Sequence, residues 1–385
     1  MKKYLFLSIV YLMFVTLSAD YFPVPKKDFI PAYYACYMTN EPLLIDGKMD
    51  EVSWQKAEWT QPFVDIEGDL KPKPFYKTQV KMLYDKDYFY FFAYMEDKDL
   101  WATLTERDAV IFHDNDFEIF IDPDGDTHDY YELELNAFNT IWDLLVIKPY
   151  RDRNQVAVNA WDIKGLKSAV YLDGSINDNR DQDKGWSVEI AIPWKVLEEC
   201  AHRSAPPKDK DIWKVNFSRV HYDLDKEGSS YKKRVNPETG QKLPEYNWVW
   251  SPQGLIAMHY PELWGNVQFF EKSVPEWAIE SGHNTKLNEM PIKDTHNPSY
   301  IQTQKDLDKK LLRYIYYSQK QYYMNHQEYA DDLKELAFSY PYDAKNYKIE
   351  FFTSPHTYEI ILNNLKTKDK LYLFHDSRLL EKIDF

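Results

Sequence analysis

Asp116-Phe-Glu-Ile-Phe-Ile-Asp122, the turn Pro123-Asp-Gly-Asp126, and Tyr130-Tyr-Glu-Leu-Glu-Leu-Asn136 together decide the fold. Both flanking runs alternate between apolar and polar residues, the pattern of a strand with two different faces. Asp116, Glu118 and Phe120 share one face of the first strand. Glu132, Glu134 and Asn136 share one face of the second, with Leu133 and Leu135 on the other. Proline, glycine and aspartate between them supply the turn of a hairpin.

The same pattern extends outward in both directions. Gln79–Tyr84, the turn Asp85-Lys-Asp87 and Tyr88–Met95 read as another hairpin. Ile141–Ile147 continues the meander, and Trp186–Ile192 alternates before Pro193 opens a short helix. Trp213–Val220 and Trp264–Phe270 are further strands. Many short strands with few helices predict a mainly β chain, an antiparallel β-sandwich, with a small C-terminal α+β unit.

The chain ends carry separate signals. Lys2 and Lys3 precede an apolar run from Tyr4 to Leu17, closed by Ser18 and Ala19. That order predicts a signal peptide over 1–19 and an exported protein, periplasmic or extracellular. No later segment is long and apolar enough to span a membrane. Residues 20–37, with Pro23, Pro25 and Pro31, read as an irregular lead-in to a sandwich over 38–272. A polar stretch at 273–303 reads as a linker. From 304 to 385 a helix with Leu311, Ile315, Ser318, Tyr322, Tyr329 and Leu336 on one side, interrupted near Asn325, leads into a small antiparallel sheet. That unit is a candidate docking point for a protein partner.

Composition narrows the function classes. The formal net charge is −15, and loss of Lys2 and Lys3 with the leader takes it to −17, which argues against nucleic acid as a partner. The histidines lack zinc spacing, and no Cys-x-x-Cys-His or glycine-rich phosphate loop occurs. Cys36 and Cys200 are far apart in sequence and are not expected to pair. The 31 tyrosines and 12 tryptophans suit both a β core and a surface that stacks on sugar rings.

Four segments occur in order: Ile45-Asp-Gly-Lys-Met-Asp-Glu-Val-Ser-Trp54, the hairpin ending in Tyr88-Phe-Tyr-Phe-Phe, Asp114–Asp122, and Pro261-Glu-Leu-Trp-Gly-Asn-Val267. In this order and spacing they resemble the family 9 carbohydrate-binding modules, over about 38 to 272. The resemblance is to the stand-alone family 9-like, DOMON-type sandwich proteins of polysaccharide-degrading bacteria. It implies a two-sheet sandwich, bound calcium, and a slot that holds an oligosaccharide or polysaccharide between two aromatic rings. By position, the first ring falls on Phe112, a hydrogen-bonding acid on Glu118, an arginine of the family on Glu134, and an asparagine on Asn136. The second ring falls on Met258, beside His259 and Tyr260. This departure leaves Tyr260 or Trp250 to form the clamp, if a clamp exists.

The residues also read without the family. Glu118, Glu132, Glu134 and Asn136 on adjacent strands are rigid partners for hydroxyls beside an aromatic platform, or a solvated outer sheet face. Asp122, Asp124, Asp126 and Asp129 crowd one turn, which suits Ca²⁺, a structural cofactor taking about six to eight oxygen ligands, or is simply an acidic turn. Two further readings stay beside carbohydrate binding. One is a glycoside hydrolase, built on paired carboxyls. The other is an interaction scaffold that has lost its sugar site. Met258 and His259 together are also the residue types that hold haem in related sandwiches, although neighbours on a strand point to opposite faces.

Overall fold

The computed structural model describes residues 21–152, 155–273 and 300–381. The leader and most of the 273–303 segment lie outside the described residues.

Two antiparallel layers share one core. The first runs β8 (Ala157–Val158), β7 (Ile141–Val146), β6 (Tyr130–Asn136), β5 (Asp116–Asp122), β11 (Ile212–His221) and β15 (Gly265–Ser273). Two short strands, β14 (Tyr246–Val249) and β2 (Val64–Asp65), extend it beside β11. The second layer is β3 (Thr78–Tyr84), β4 (Tyr88–Glu96), β10 (Gly185–Pro193) and β9 (Lys167–Asp173). Between them Phe91, Met95, Val188 and Ile190 meet Phe117, Ile119, Leu133, Leu135 and Phe217 in one buried cluster. The alternation at 116–136 is therefore real, with its apolar half turned to this core.

The lead-in is not wholly irregular. Tyr33–Met38 forms β1, parallel to β15 over its length and to β3 at Tyr37 and Met38, so it stitches the two layers together. Parallel partners far away in sequence leave no local hairpin signal, which is why the prolines before it dominate a sequence reading.

A buried carboxylate organises the Ile45–Trp54 motif. Glu189 on β10 accepts from Trp54 Nε1 at 2.8 Å and from the backbone N–H of Asp46 and Gly47 at 2.9 and 3.2 Å. Gly47 has φ +82°, and a Cβ there would lie 2.7 Å from the Tyr171 nitrogen, so the turn needs glycine. Burial, the largest influence, raises the Glu189 pKa to about 7 despite these donors. Its folded value exceeds the unfolded one, so its stabilisation is present below about pH 4.3 and is lost as pH rises through 7. Glu189→Gln should destabilise the chain by about 1–3 kcal/mol at low pH through the loss of N–H partners. The gap to wild type should narrow as pH rises through 7, as urea titrations at several pH values would show.

The C-terminal unit packs its long helix (Gln304–His326) on the sheet β16 (Tyr347–Thr353), β17 (Tyr358–Asn364), β18 (Lys370–Phe374) and β19 (Leu379–Leu380). Thr303 and Asp306 form a capping box, and Gln327 ends the helix in the left-handed conformation. Tyr329 and Leu336 therefore lie beyond the helix. They still enter the same core as Leu311 and Ile315, from the turns that follow.

That core also takes Phe22, Leu255 and Tyr260 from the sandwich side. Arg151 joins the two parts: it pairs with Glu262 at 2.9 Å and lies over the rings of Tyr260 and Tyr316 at 4.0 and 5.2 Å. Asp152 beside it accepts from Tyr316 Oη at 2.6 Å and Ser377 Oγ at 2.9 Å, and pairs with Lys320 at 2.7 Å. Arg151→Ala leaves Glu262 buried without its counter-charge, a change that costs about 3–5 kcal/mol. Limited proteolysis should then cut within 300–381 well before the wild-type chain is cut there.

Candidate functional site

The β5–β6 register pairs Glu118 with Glu134, Asp116 with Asn136 and Phe120 with Glu132. All six side chains consequently lie on the face away from the shared core. Asp116, Glu118, Glu132 and Glu134 are nonetheless buried. Their environment raises every one of their pKa values. Burial is the chief cause throughout, bringing Glu118 to about 7 although the Ser218 hydroxyl nearby acts in the opposite direction. Glu132 reaches about 8, with the charge of Glu118 as the second cause. Asp116 and Glu134 rise well above the carboxylate range, again from burial first and Glu118 second.

Aromatic residues border this acidic floor. Phe112, in the turn Ile111–His113, is 37% exposed, and its backbone N–H donates to Glu134 Oε2 at 3.1 Å. Trp142 on β7 sits directly opposite Glu134, with its ring 6.4 Å from that of Phe112. Tyr150 is also 37% exposed. Its phenol is raised to about 12, by burial first and then by the charges of Glu132 and Glu134. Trp142 and Tyr150 were not singled out by the sequence. Cross-strand alternation past Asn136 carries the signal for Trp142; Tyr150 lies in an irregular segment with no comparable cue.

Several expected site residues have other duties. Asn136 donates to Leu104 O and Asp114 Oδ2 and accepts from the Phe138 and Thr140 N–H groups, so its amide is consumed in holding the β6–β7 turn. Trp250 is 3% exposed, in the core against Phe217. Tyr260 is 2% exposed, with its hydroxyl on Pro23 O. Neither can supply a second ring, because both are spent in packing. Met258 packs with Phe120, Tyr130 and Trp264 over the lower part of the same face, and its sulfur accepts from Gln253 Nε2 at 3.1 Å. His259 bonds Tyr130 Oη through Nδ1 at 2.9 Å and meets Tyr150 with ring centroids 4.4 Å apart. Met258 and His259 thus border the acidic floor as packing residues.

In the aspartate turn, Asp122, Asp124 and Asp126 offer oxygens within 4.8 Å of one another, so that group could hold a metal. Asp129 is outside the group and faces Arg378 and His202, each at 3.9 Å. Protein groups already bond part of the turn. Asp122 accepts from the Gly125 and Thr127 N–H groups, and Asp126 from the His128 N–H. Arg378 of the C-terminal unit reaches Asp126 Oδ2 at 2.7 Å and brings one positive charge to the turn. The turn is therefore a docking point: Leu379 N–H donates to Asp126 O, and Asp376 pairs with Lys148 at 3.0 Å. Asp124→Asn should change the melting temperature by the same small amount in calcium and in chelator. A loss seen only in calcium would place an ion in the turn.

A β-sandwich whose outer sheet face sets carboxylates beside half-exposed rings belongs architecturally with carbohydrate-binding modules. The chain is a member of the carbohydrate family 9 binding domain-like family, whose model matches residues 45–248. The first layer continues past that match through β15 to Ser273. Among solved structures, a family 9 module of Caldicellulosiruptor kristjanssonii in complex with cellotriose is 16% identical, with a TM-score of 0.40 over 63% of this chain and 95% of that one. A candidate carbohydrate-binding protein of Bacteroides uniformis is 18% identical, with a TM-score of 0.43 over 62% and 97%. No curated protein matches the chain.

Proposed function

We propose that the chain is an exported, non-catalytic carbohydrate-binding protein that serves polysaccharide breakdown. It would hold an oligosaccharide or polysaccharide on the outer face of β5, β6 and β7. The observation that carries this reading is the acidic floor of Glu118, Glu132 and Glu134 bordered by Phe112, Trp142 and Tyr150. Sugar rings present apolar faces and polar edges. Exposed aromatics accommodate the first, and carboxyls fixed on paired strands accommodate the second. Phe112 and Trp142 replace the pair of rings expected from Phe112 and Met258. Family membership supports the reading, and the complex of the Caldicellulosiruptor module with cellotriose makes β-linked glucose chains the first ligands to try.

The proposal includes removal of residues 1–19 on export. Among the described residues no helix is long and apolar enough to cross a membrane. Calcium at the aspartate turn is not part of it, because Arg378 from the C-terminal unit engages Asp126 there.

Calorimetric titration of residues 20–385 with glucose, cello-oligosaccharides and plant and algal oligosaccharides tests the reading. Binding should appear with at least one sugar. Phe112→Ala and Trp142→Ala should each weaken it by about 0.5–1.5 kcal/mol beyond the area lost, roughly tenfold at the upper end. Glu118→Ala should weaken it as well. Release of reducing ends from a bound sugar would overturn the non-catalytic part. Silence across the panel from a folded protein would overturn the whole and favour a scaffold role.

A further inference from the structure

The outer face of the first layer changes character along its length. In the register of β5 and β11, Ser218 lies opposite Glu118 at the acidic floor, whereas Lys214 lies opposite Asp122 at the other end. At that end a cavity of about 640 Å³ opens between the layer and the long helix of the C-terminal unit. Its volume is within the roughly 300–1,000 Å³ typical of small-molecule sites.

The walls combine apolar surface with positive charge. Phe29, Ile212, Leu263 and Tyr314 line the cavity together with Lys214 and Arg313. Glu262, Asp28 and Glu381, also in the lining, are already paired: Glu262 with Arg151, Asp28 with Lys310, and Glu381 with Lys305 and Lys309. Lys214 and Arg313 are not balanced in this way. Half-buried Lys214 donates to Trp264 O at 3.0 Å. Arg313 is 6% exposed and donates through one nitrogen, Nη1, to Ser377 O. Among the described residues neither pairs with a carboxylate.

A buried cation without a counter-charge is costly. Burial first, and Lys309 second, lower the Lys214 ammonium to about 8. Asp124, Asp211 and Asp369 also line the cavity without a lysine or arginine partner. A carboxyl can shed its charge by taking a proton, and Asp124 is already raised to about 6, by burial first and Asp126 second. A guanidinium cannot lose its charge, and four of the five Arg313 N–H donors are left over by the bond to Ser377. A carboxylate answers both cations, because its two oxygens match the guanidinium fork and also accept from an ammonium.

We propose that this cavity binds a small organic carboxylate with an apolar body of one or two rings. Lys214 and Arg313 would meet the carboxylate, and Phe29, Ile212, Leu263 and Tyr314 the body. The site is separate from the acidic floor and does not depend on the sugar reading.

The probes are 2-naphthoate and benzoate, titrated calorimetrically into residues 20–385. 2-Naphthoate should bind more tightly than benzoate, because it buries more apolar surface. Its uncharged amide should bind at least about tenfold more weakly than the acid. Lys214→Met and Arg313→Gln should each weaken 2-naphthoate by at least about tenfold. Lys334→Met, at an exposed position outside the cavity, should leave it within about twofold of wild type. Lys214→Met removes a desolvated charge, so it should melt no lower than wild type, which separates loss of binding from loss of fold. On the unaltered chain, 2-naphthoate should slow hydrogen exchange in peptides covering 210–216 and 304–317. Absence of heat with both carboxylates overturns the proposal. So does 2-naphthoate binding that Lys214→Met leaves unchanged, or protection confined to 110–146. Inorganic sulfate or the amide binding as tightly as 2-naphthoate overturns the assignment of an organic carboxylate.

Discussion

The pairing of β5 with β6 is the constraint on which the rest of this molecule depends. With Glu118 opposite Glu134, the apolar half of each strand fills the shared core and the acidic half faces outward. A one-residue slip would turn four carboxyls into that core and expose Ile119, Leu133 and Leu135. The register is therefore held by burial energy on one side, and the acids on the other side are assembled as a consequence. The turn that joins the strands is fixed independently by Arg378 and Leu379 from the C-terminal unit.

That arrangement places ionisable groups where water reaches them poorly. Burial, more than mutual repulsion, moves the four carboxyls upward. At neutral pH such a floor either keeps protons or takes up positive charge. The two parts of the chain meet differently, with charge balanced around Arg151 and Asp152. Arg151 lies between Glu262 and the rings of Tyr260 and Tyr316, while Asp152 gathers tyrosine, serine and lysine from the C-terminal unit.

Local alternation made the sandwich and its acidic face legible. Phe117 against Glu118 and Leu133 against Glu134 declare their sides because neighbouring residues on a strand point to opposite faces. Aromatic residues in loops declare nothing comparable. Trp250 and Tyr260 are as suitable chemically as Phe112, yet they are spent in two different cores. Asn136 sits at the correct end of β6, but the next turn closes on its amide. Asp129 belongs to the run of aspartates and turns away, with φ +49°. The pairing of β1 with β15 and the role of Glu189 both rest on partners more than a hundred residues away, beyond any periodicity. Trp142 could have been found by carrying the pairing one strand further; Tyr150 could not.

Hydrogen exchange followed by mass spectrometry, with and without oligosaccharides from partial cell-wall hydrolysis, tests the assignment of the carbohydrate face most directly. Slower exchange is predicted in peptides covering 110–120 and 130–146, with little change in 304–381. Protection confined to the C-terminal unit, or none anywhere, would contradict it.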